Sequence, residues 1–286
     1  MKNANSPGEG SALTIPLKDL LGEFTEFLKV DKQYAERTVD THLKMITKFM
    51  QYVRGDPRAL GKVGVRAYLR WLKENSPGNY KNSLSALKVF YRDFLDREDV
   101  VKSFKFPPSS QRILQIPPTK DLRTFYSELK QPMARAMFLL YATSGLRRNE
   151  LLGLKREHID LEKRMIIPGK QSSRTKRTYI TFFNEEAAEV LKEILPEDPK
   201  ARIFPVSPMY FRKKAMKIHK KTGVKLTPQI LREWFCSELG KLGVPDRYVD
   251  GFSGRVPKSV LAKHYTDFRP ENMKEIYEKA GLKVLT

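Results

Sequence analysis

Near its C-terminal end the chain reads VLAKHYTDFRPEN, and Tyr265 within it admits two roles. Most tyrosines pack as amphipathic core residues with a polar tip. The other role is nucleophilic attack. A free phenol titrates near pH ~10 and attacks poorly at neutral pH, so a nucleophilic tyrosine needs cations around it that favour the phenolate. The sequence offers cations with suggestive neighbours. Arg147 precedes Glu150 by three residues, a spacing that sets both on one helix face and lets the carboxylate orient the guanidinium; the same pair also fits an ordinary surface ion pair. Arg255 precedes Tyr265 by 265 − 255 = 10 residues. Tyr277, in NMKEIYEKAG, is the rival phenol, and Met273, Ile276 and Ala280 at helical spacing give it the look of a packing residue.

The bulk charge says what such a site would meet. Among 286 residues, 54 Lys and Arg stand against 33 Asp and Glu, a net charge of +21. The excess is spread along the chain, which favours polyanionic partners, nucleic acid first, through phosphate contacts and counterion release. Cys236 is the only cysteine, which excludes an intrachain disulfide and a cysteine-based zinc site. No apolar run is long enough to span a bilayer, and the opening MKNANSPGEGSALTIP lacks the apolar core of a secretory signal. No membrane association and a cytoplasmic location are the expectations.

Helical periodicity organises the chain into two modules. A tail over 1–15 is expected to be disordered. Residues 16–102 carry four amphipathic helices, with Leu17, Leu20, Leu21, Phe24, Phe27 and Leu28 inward on the first and Val39, Leu43, Ile46, Met50 and Val53 inward on the second. GVRAYLRWLKE forms the third, and NYKNSLSALKVFYRDFL the fourth, with Leu84, Leu87, Tyr91, Phe94 and Leu95 inward. The polar faces carry Lys32, Arg37, Lys44, Lys48, Lys81 and Lys88. Two Pro-Pro pairs make 103–118 a linker. The second module, 119–286, starts at Thr119 as a helix N-cap. It continues with a buried helix MARAMFLLYATSG, a helix RRNELLGLKREHI, a hairpin RMIIPGKQSSRTKRTYITF and a helix NEEAAEVLKEIL. A basic helix with Arg212 and Lys213 follows, closed by Gly223, then TPQILREWFCSELGKLG and a last helix around Tyr277.

Three distant segments, TSGLRRNELLGL, LTPQILREWFCSEL and SGRVPKSVLAKHYTDF, together with the turn PGK, resemble the signature of tyrosine recombinases, the phage-integrase and Xer superfamily. The variant pattern resembles integrases of archaeal viruses and plasmids more than the bacterial Xer type. The resemblance covers the second module end to end and the first only loosely. It implies a mainly α fold with a small β-hairpin or sheet in the catalytic domain, and a two-domain DNA clamp: a helical core-binding domain over 16–102 and a tyrosine-recombinase catalytic domain over 119–286 with a C-terminal tail helix. It implies double-stranded DNA attachment sites as partner, a tetramer on DNA, and tail helices that often dock on a neighbouring copy.

The resemblance also assigns roles. Tyr265 falls at the nucleophile, which forms a 3′-phosphotyrosine and frees a 5′-hydroxyl. Arg147 and Arg232 match the first and second arginines, with Glu150 supporting Arg147. Arg255 takes the place of the family's third histidine or tryptophan. Lys170 matches the hairpin lysine that protonates the leaving oxygen, and Lys176 is its rival in the same turn. Gln229 stands where a histidine is usual and Glu233 follows Arg232; glutamine donates a hydrogen bond but shuttles no proton. Guanidinium groups can carry transition-state charge bidentately without deprotonating, so no metal and no cofactor are expected, and two transesterifications need no ATP. Lys44, Lys48, Lys81, Lys88, Arg212 and Lys213 are candidate DNA-backbone contacts, Arg148 is expected to face solvent or DNA backbone, and His264 is expected to be structural or to face DNA. Two other readings share parts of this pattern: a type IB topoisomerase-like enzyme that relaxes DNA without strand exchange, and a DNA-binding protein without catalysis.

Overall fold

The computed structural model describes residues 19–108, 114–169, 180–255 and 266–286. The chain divides into two compact units, Met1–Arg112 and Ile113–Thr286. Among the described residues, no helix is long and apolar enough to cross a membrane.

The first unit is helical: α1 (Leu20–Lys29), α2 (Glu36–Val53), α3 (Lys62–Asn75), α4 (Tyr80–Lys88) and a short α5 (Glu98–Val101). Its core gathers Phe24, Leu28, Ile46, Phe49, Tyr68, Leu72, Leu84, Leu87, Phe90 and Tyr91. On α2 the buried stripe is rotated from the expected one: His42, Met45 and Phe49 join Val39 and Ile46 inside, while Leu43, Met50 and Val53 are half-buried. Aromatic packing decides it, because Phe49 lies 5.0 Å from the ring of Tyr68 and 6.1 Å from that of Tyr91. The fourth helix also departs from a 3.6 period. Val89–Phe94 winds as a π-helix, so Phe94 and Leu95 end only half-buried. Within that turn the Tyr91 hydroxyl donates to the carbonyl of Pro57 at 2.6 Å.

The second unit is built on α7 (Pro132–Ser144), which is buried from Ala136 to Ser144 without a polar face. A helix apolar all round must be enclosed. It packs on α11 (Pro228–Lys241) through Leu231, Trp234, Phe235 and Leu239, and α6 (Thr119–Ser127), α9 (Glu185–Lys192) and α10 (Tyr210–Thr222) complete the surround. Two sequence expectations are corrected at helix ends. Thr119 is the first helical residue of α6, with Pro118 before it. The helix read into RRNELLGLKREHI is only α8 (Arg148–Leu152), which stops at Gly153 and gives way to a 3₁₀ turn, Arg156–His158.

The expected hairpin is a three-stranded antiparallel sheet in the order β1 (Ile159–Asp160), β2 (Met165–Ile166), β3 (Thr181–Phe182), with Ile159 opposite Ile166 and Ile166 opposite Thr181. α12 (Asp246–Phe252), which periodicity did not reveal, starts directly after Pro245. The last helix, α13 (Pro270–Ala280), packs on its own unit. Tyr277 of this helix lies tilted against Phe182 and edge-on to Phe252, with ring centroids 5.7 Å apart in each pair. α13 keeps its apolar face, Met273, Tyr277 and Ala280, on this unit's core. The residues after it stay too: Val284 is fully buried, and the Glu186 carboxylate accepts the N–H groups of Val284, Leu285 and Thr286 at 2.9, 2.8 and 3.1 Å.

Candidate active site

α7 ends at Gly145 in the left-handed region, φ +63°. A Cβ there would stand 2.4 Å from Cδ1 of Phe235, so glycine permits both the turn and the close approach of α11. Two residues later Arg147 stands just ahead of α8. Its backbone N–H donates to Oε2 of Glu150 at 2.7 Å and its Nη1 donates to Oε1 at 2.7 Å. The Glu150 side chain is 1 % exposed. The expected Arg147–Glu150 pair forms, with Arg147 just ahead of the helix and not on its face. Glu150 is the third residue of the helix and reaches back over its start, as in a capping box, so one carboxylate fixes both the backbone and the guanidinium of Arg147.

Arg232 comes from α11 and is 5 % exposed. Its Nη1 donates to the Gly145 carbonyl and its Nη2 to the Ser253 carbonyl. Burial, followed by the nearby Arg147 charge, pushes its pKa down to about 10, which still leaves it cationic at neutral pH. Both hydrogen-bond acceptors are neutral. A desolvated guanidinium held by neutral carbonyls keeps its charge available to an incoming anion.

α12 closes on Gly254, φ +59°, and the Arg255 N–H donates to the Asp250 carbonyl at 2.9 Å. That turn is where the site assembles. The Ser253 carbonyl accepts Arg232, the next carbonyl, Gly254, accepts Nη2 of Arg147 at 2.8 Å, and the next residue is Arg255. Arg255 is the least restrained of the three, half exposed, with its Nη1 3.4 Å from Oδ1 of Asp250. Cys236, one turn beyond Arg232 on α11, joins the cluster; burial pushes its thiol pKa up and the Arg255 and Arg232 charges oppose that. Gln229 is exposed at the start of α11 and donates to Oε1 of Glu233 at 2.9 Å. The two residues that depart from the histidine pattern are thus partners of each other. Sequence reasoning missed Asp250, Cys236 and the carbonyls of Gly145, Ser253 and Gly254. The left-handed glycines were the available signal.

Lys170, its rival Lys176, Tyr265 and His264 lie outside the described residues. Tyr277 is a core residue. It is 4 % exposed, donates to the Thr143 carbonyl at 2.7 Å, and burial pushes its phenol pKa well above the ordinary value. Arg148 is exposed. Of the candidate backbone contacts, Lys44, Lys48 and Lys81 are exposed on α2 and α4, and Arg212 and Lys213 are exposed on α10. Lys88 is half-buried and donates to the Val101 carbonyl at 3.3 Å.

A mostly helical chain in two units, the second carrying arginines around one turn, is the layout of a DNA breaking-and-rejoining enzyme of the tyrosine recombinase class. The chain belongs to the phage integrase family: residues 118–272 match the phage integrase family model and residues 20–99 match the phage integrase N-terminal SAM-like domain. It is similar to tyrosine recombinase XerA of Thermococcus onnurineus, 25% identical over 253 residues, 83% of this chain and 89% of the relative. It is similar also to tyrosine recombinase XerC of Bacillus licheniformis, 27% identical over 301 residues, 89% of this chain and 97% of the relative. In fold it resembles a lambda integrase dimer bound to a COC′ core site, with a TM-score of 0.67 at 17% identity, covering 89% of this chain and 96% of that one.

Proposed function

We propose that this site-specific recombinase uses Tyr265 as its nucleophile, with Arg147, Arg232 and Arg255 holding the scissile phosphate and Lys170 protonating the leaving group. The phenolate oxygen of Tyr265 attacks phosphorus, the bond from phosphorus to the 5′-oxygen breaks, and the leaving oxygen takes its proton from Lys170. The products are a 3′-phosphotyrosine and a 5′-hydroxyl. A second strand's 5′-hydroxyl reverses the step and exchanges the strands. Negative charge spread over the non-bridging oxygens meets three cations. Gln229 supplies a hydrogen bond and no proton transfer, so the phenol is activated by cations and not by an imidazole base.

The observation that carries this reading is the meeting of Arg147, Arg232 and Arg255 at the Ser253–Gly254 turn, with a buried Arg232 that, among the described residues, donates to neutral carbonyls. The lambda integrase bound to a COC′ core site supports duplex DNA as the partner. The substrate is a pair of double-stranded attachment sites. Recombination needs four active sites, so four copies assemble on DNA. The pattern of arginines without histidines favours a mobile element of archaeal type, a virus or plasmid, acting in the cytoplasm.

The test is adduct formation on a nicked duplex carrying a site selected by binding from a randomised duplex pool. Tyr265→Phe is expected to bind that duplex as wild type does and to form no covalent adduct. Retention of the adduct in Tyr265→Phe, or its mapping to a peptide without Tyr265, overturns the reading.

A further inference from the structure

The end of α7 is held in an unusual way. An α-helix leaves its last carbonyls without intrahelical donors. Here three successive ones are taken by side chains from three different elements. Thr143 O accepts the Tyr277 hydroxyl from α13 at 2.7 Å, Ser144 O accepts Oγ1 of Thr181 from β3 at 2.7 Å, and Gly145 O accepts Nη1 of Arg232 from α11. Thr181 and Ser144 are fully buried and Tyr277 nearly so. Water cannot replace these donors.

The third of these bonds belongs to the site itself, and Arg147 follows Gly145 by two residues. The path of the chain from Ser144 to Arg147 therefore sets both arginines: it places the carbonyl that anchors Arg232 and it launches the residue that carries Arg147. We propose that Thr181 and Tyr277 are positioning residues for cleavage, which hold the end of α7 so that Arg147 and Arg232 stand in register with the scissile phosphate. This deepens the recombinase reading and rests on it. Neither residue touches DNA. Each acts through a backbone carbonyl, Thr181 on the residue before Gly145 and Tyr277 on the one before that.

The packing alone does not demand the hydroxyls. Valine fills the volume of Thr181, and phenylalanine keeps the ring of Tyr277 against Phe182 and Phe252. What such variants lose is a donor, and a carbonyl buried without one turns or shifts to find another. Displacements of about 1 Å at a catalytic group can cost around 100-fold in rate.

The experiment compares Thr181→Val, Thr181→Ser and Tyr277→Phe in the full chain, on the selected nicked duplex, well below each variant's unfolding midpoint. Duplex affinity and the rate of adduct formation at saturating duplex are measured separately. Thr181→Val and Tyr277→Phe are expected to lower the adduct rate about tenfold or more with affinity kept within about threefold. Thr181→Ser, which restores the hydroxyl, is expected to return the rate towards wild type. An unchanged rate in both donor-deleting variants overturns the proposal, as does a loss of affinity and rate in parallel or a Thr181→Ser variant as slow as Thr181→Val. Tyr265→Phe run alongside keeps the two ideas apart: an adduct that survives it sinks the assignment of the nucleophile, while the Thr181 series still reports on the arginine pair.

Discussion

Arg147 and Arg232 donate through Nη2 to consecutive carbonyls of one turn, Gly254 and Ser253. Two guanidinium groups from elements far apart in sequence are thereby spaced by a single peptide unit. Like charges so placed repel, and nearby Arg147 is one reason the pKa of Arg232 falls to about 10, after burial itself. The fold accepts that cost because Glu150 and the carbonyls hold the pair.

The first consequence concerns Glu150. Its carboxylate satisfies both the N–H and the Nη1 of Arg147 while 1 % exposed. Glu150→Ala is expected to destabilise the second unit by about 2–3 kcal/mol, because the Arg147 amide and Nη1 lose their acceptor while Nη2 keeps the Gly254 carbonyl. Glu150→Gln keeps one acceptor and should cost less, about 1–2 kcal/mol. Urea unfolding of each variant, with adduct formation measured in parallel, checks both.

Gly145 is the next point of stress. At φ +63° an alanine is strained by about 1–2 kcal/mol. Its Cβ would also meet Cδ1 of Phe235 at 2.4 Å. Gly145→Ala is expected to lose about 3 kcal/mol in total. Phe235→Leu in the same chain should recover the clash but not the backbone strain. A double-mutant cycle by thermal unfolding measures that coupling, and strict additivity of the two changes would count against the close approach.

His42 makes the first unit sensitive to acid. It is buried among the helices; its Nδ1 meets the Thr38 carbonyl at 2.9 Å and its Nε2 is buried without a hydrogen-bond partner among the described residues. Desolvation lowers its pKa below the ordinary imidazole value. Between the two values the unfolded chain binds more protons than the folded one, so stability rises with pH through that window. It is fully present above the unfolded pKa of about 6.5 and is lost as pH falls towards the folded value. His42→Leu is expected to flatten the fall in unfolding midpoint between neutral pH and pH about 5. Fluorescence of Trp71, read in a Trp234→Phe background, follows this unit alone.

Arg212 and Lys213 are exposed side by side on α10. If each neutralises a phosphate, replacing either by alanine weakens duplex binding for every sequence alike. Each change should also reduce the slope of log affinity against log salt by about 1. A titration from low to high salt separates this from a loss of base readout, which would change with the duplex sequence and leave the slope intact.

The recombinase class was legible before any coordinates, because the chemistry demands residue types that short motifs preserve. Arg147 beside Glu150, Arg232 within QILREWF and Arg255 ahead of Tyr265 could be picked out by order and spacing. The helices were legible where one face is apolar, as in α1, or where proline and glycine mark the ends, as in α11. Periodicity failed where tertiary packing overrode it: aromatic contacts rotated the buried face of α2, a π turn displaced Phe94, and Gly153 cut α8 short. The sequence could name the arginines but not say what holds them. Backbone carbonyls carry no residue signature, so the use of Gly145, Ser253 and Gly254 as anchors emerges only when α7, α11 and α12 pack together. Tyr277 makes the same point from the other side. Helical spacing already gave it the look of a packing residue, and only the structure shows what it packs on, Thr143, Phe182 and Phe252.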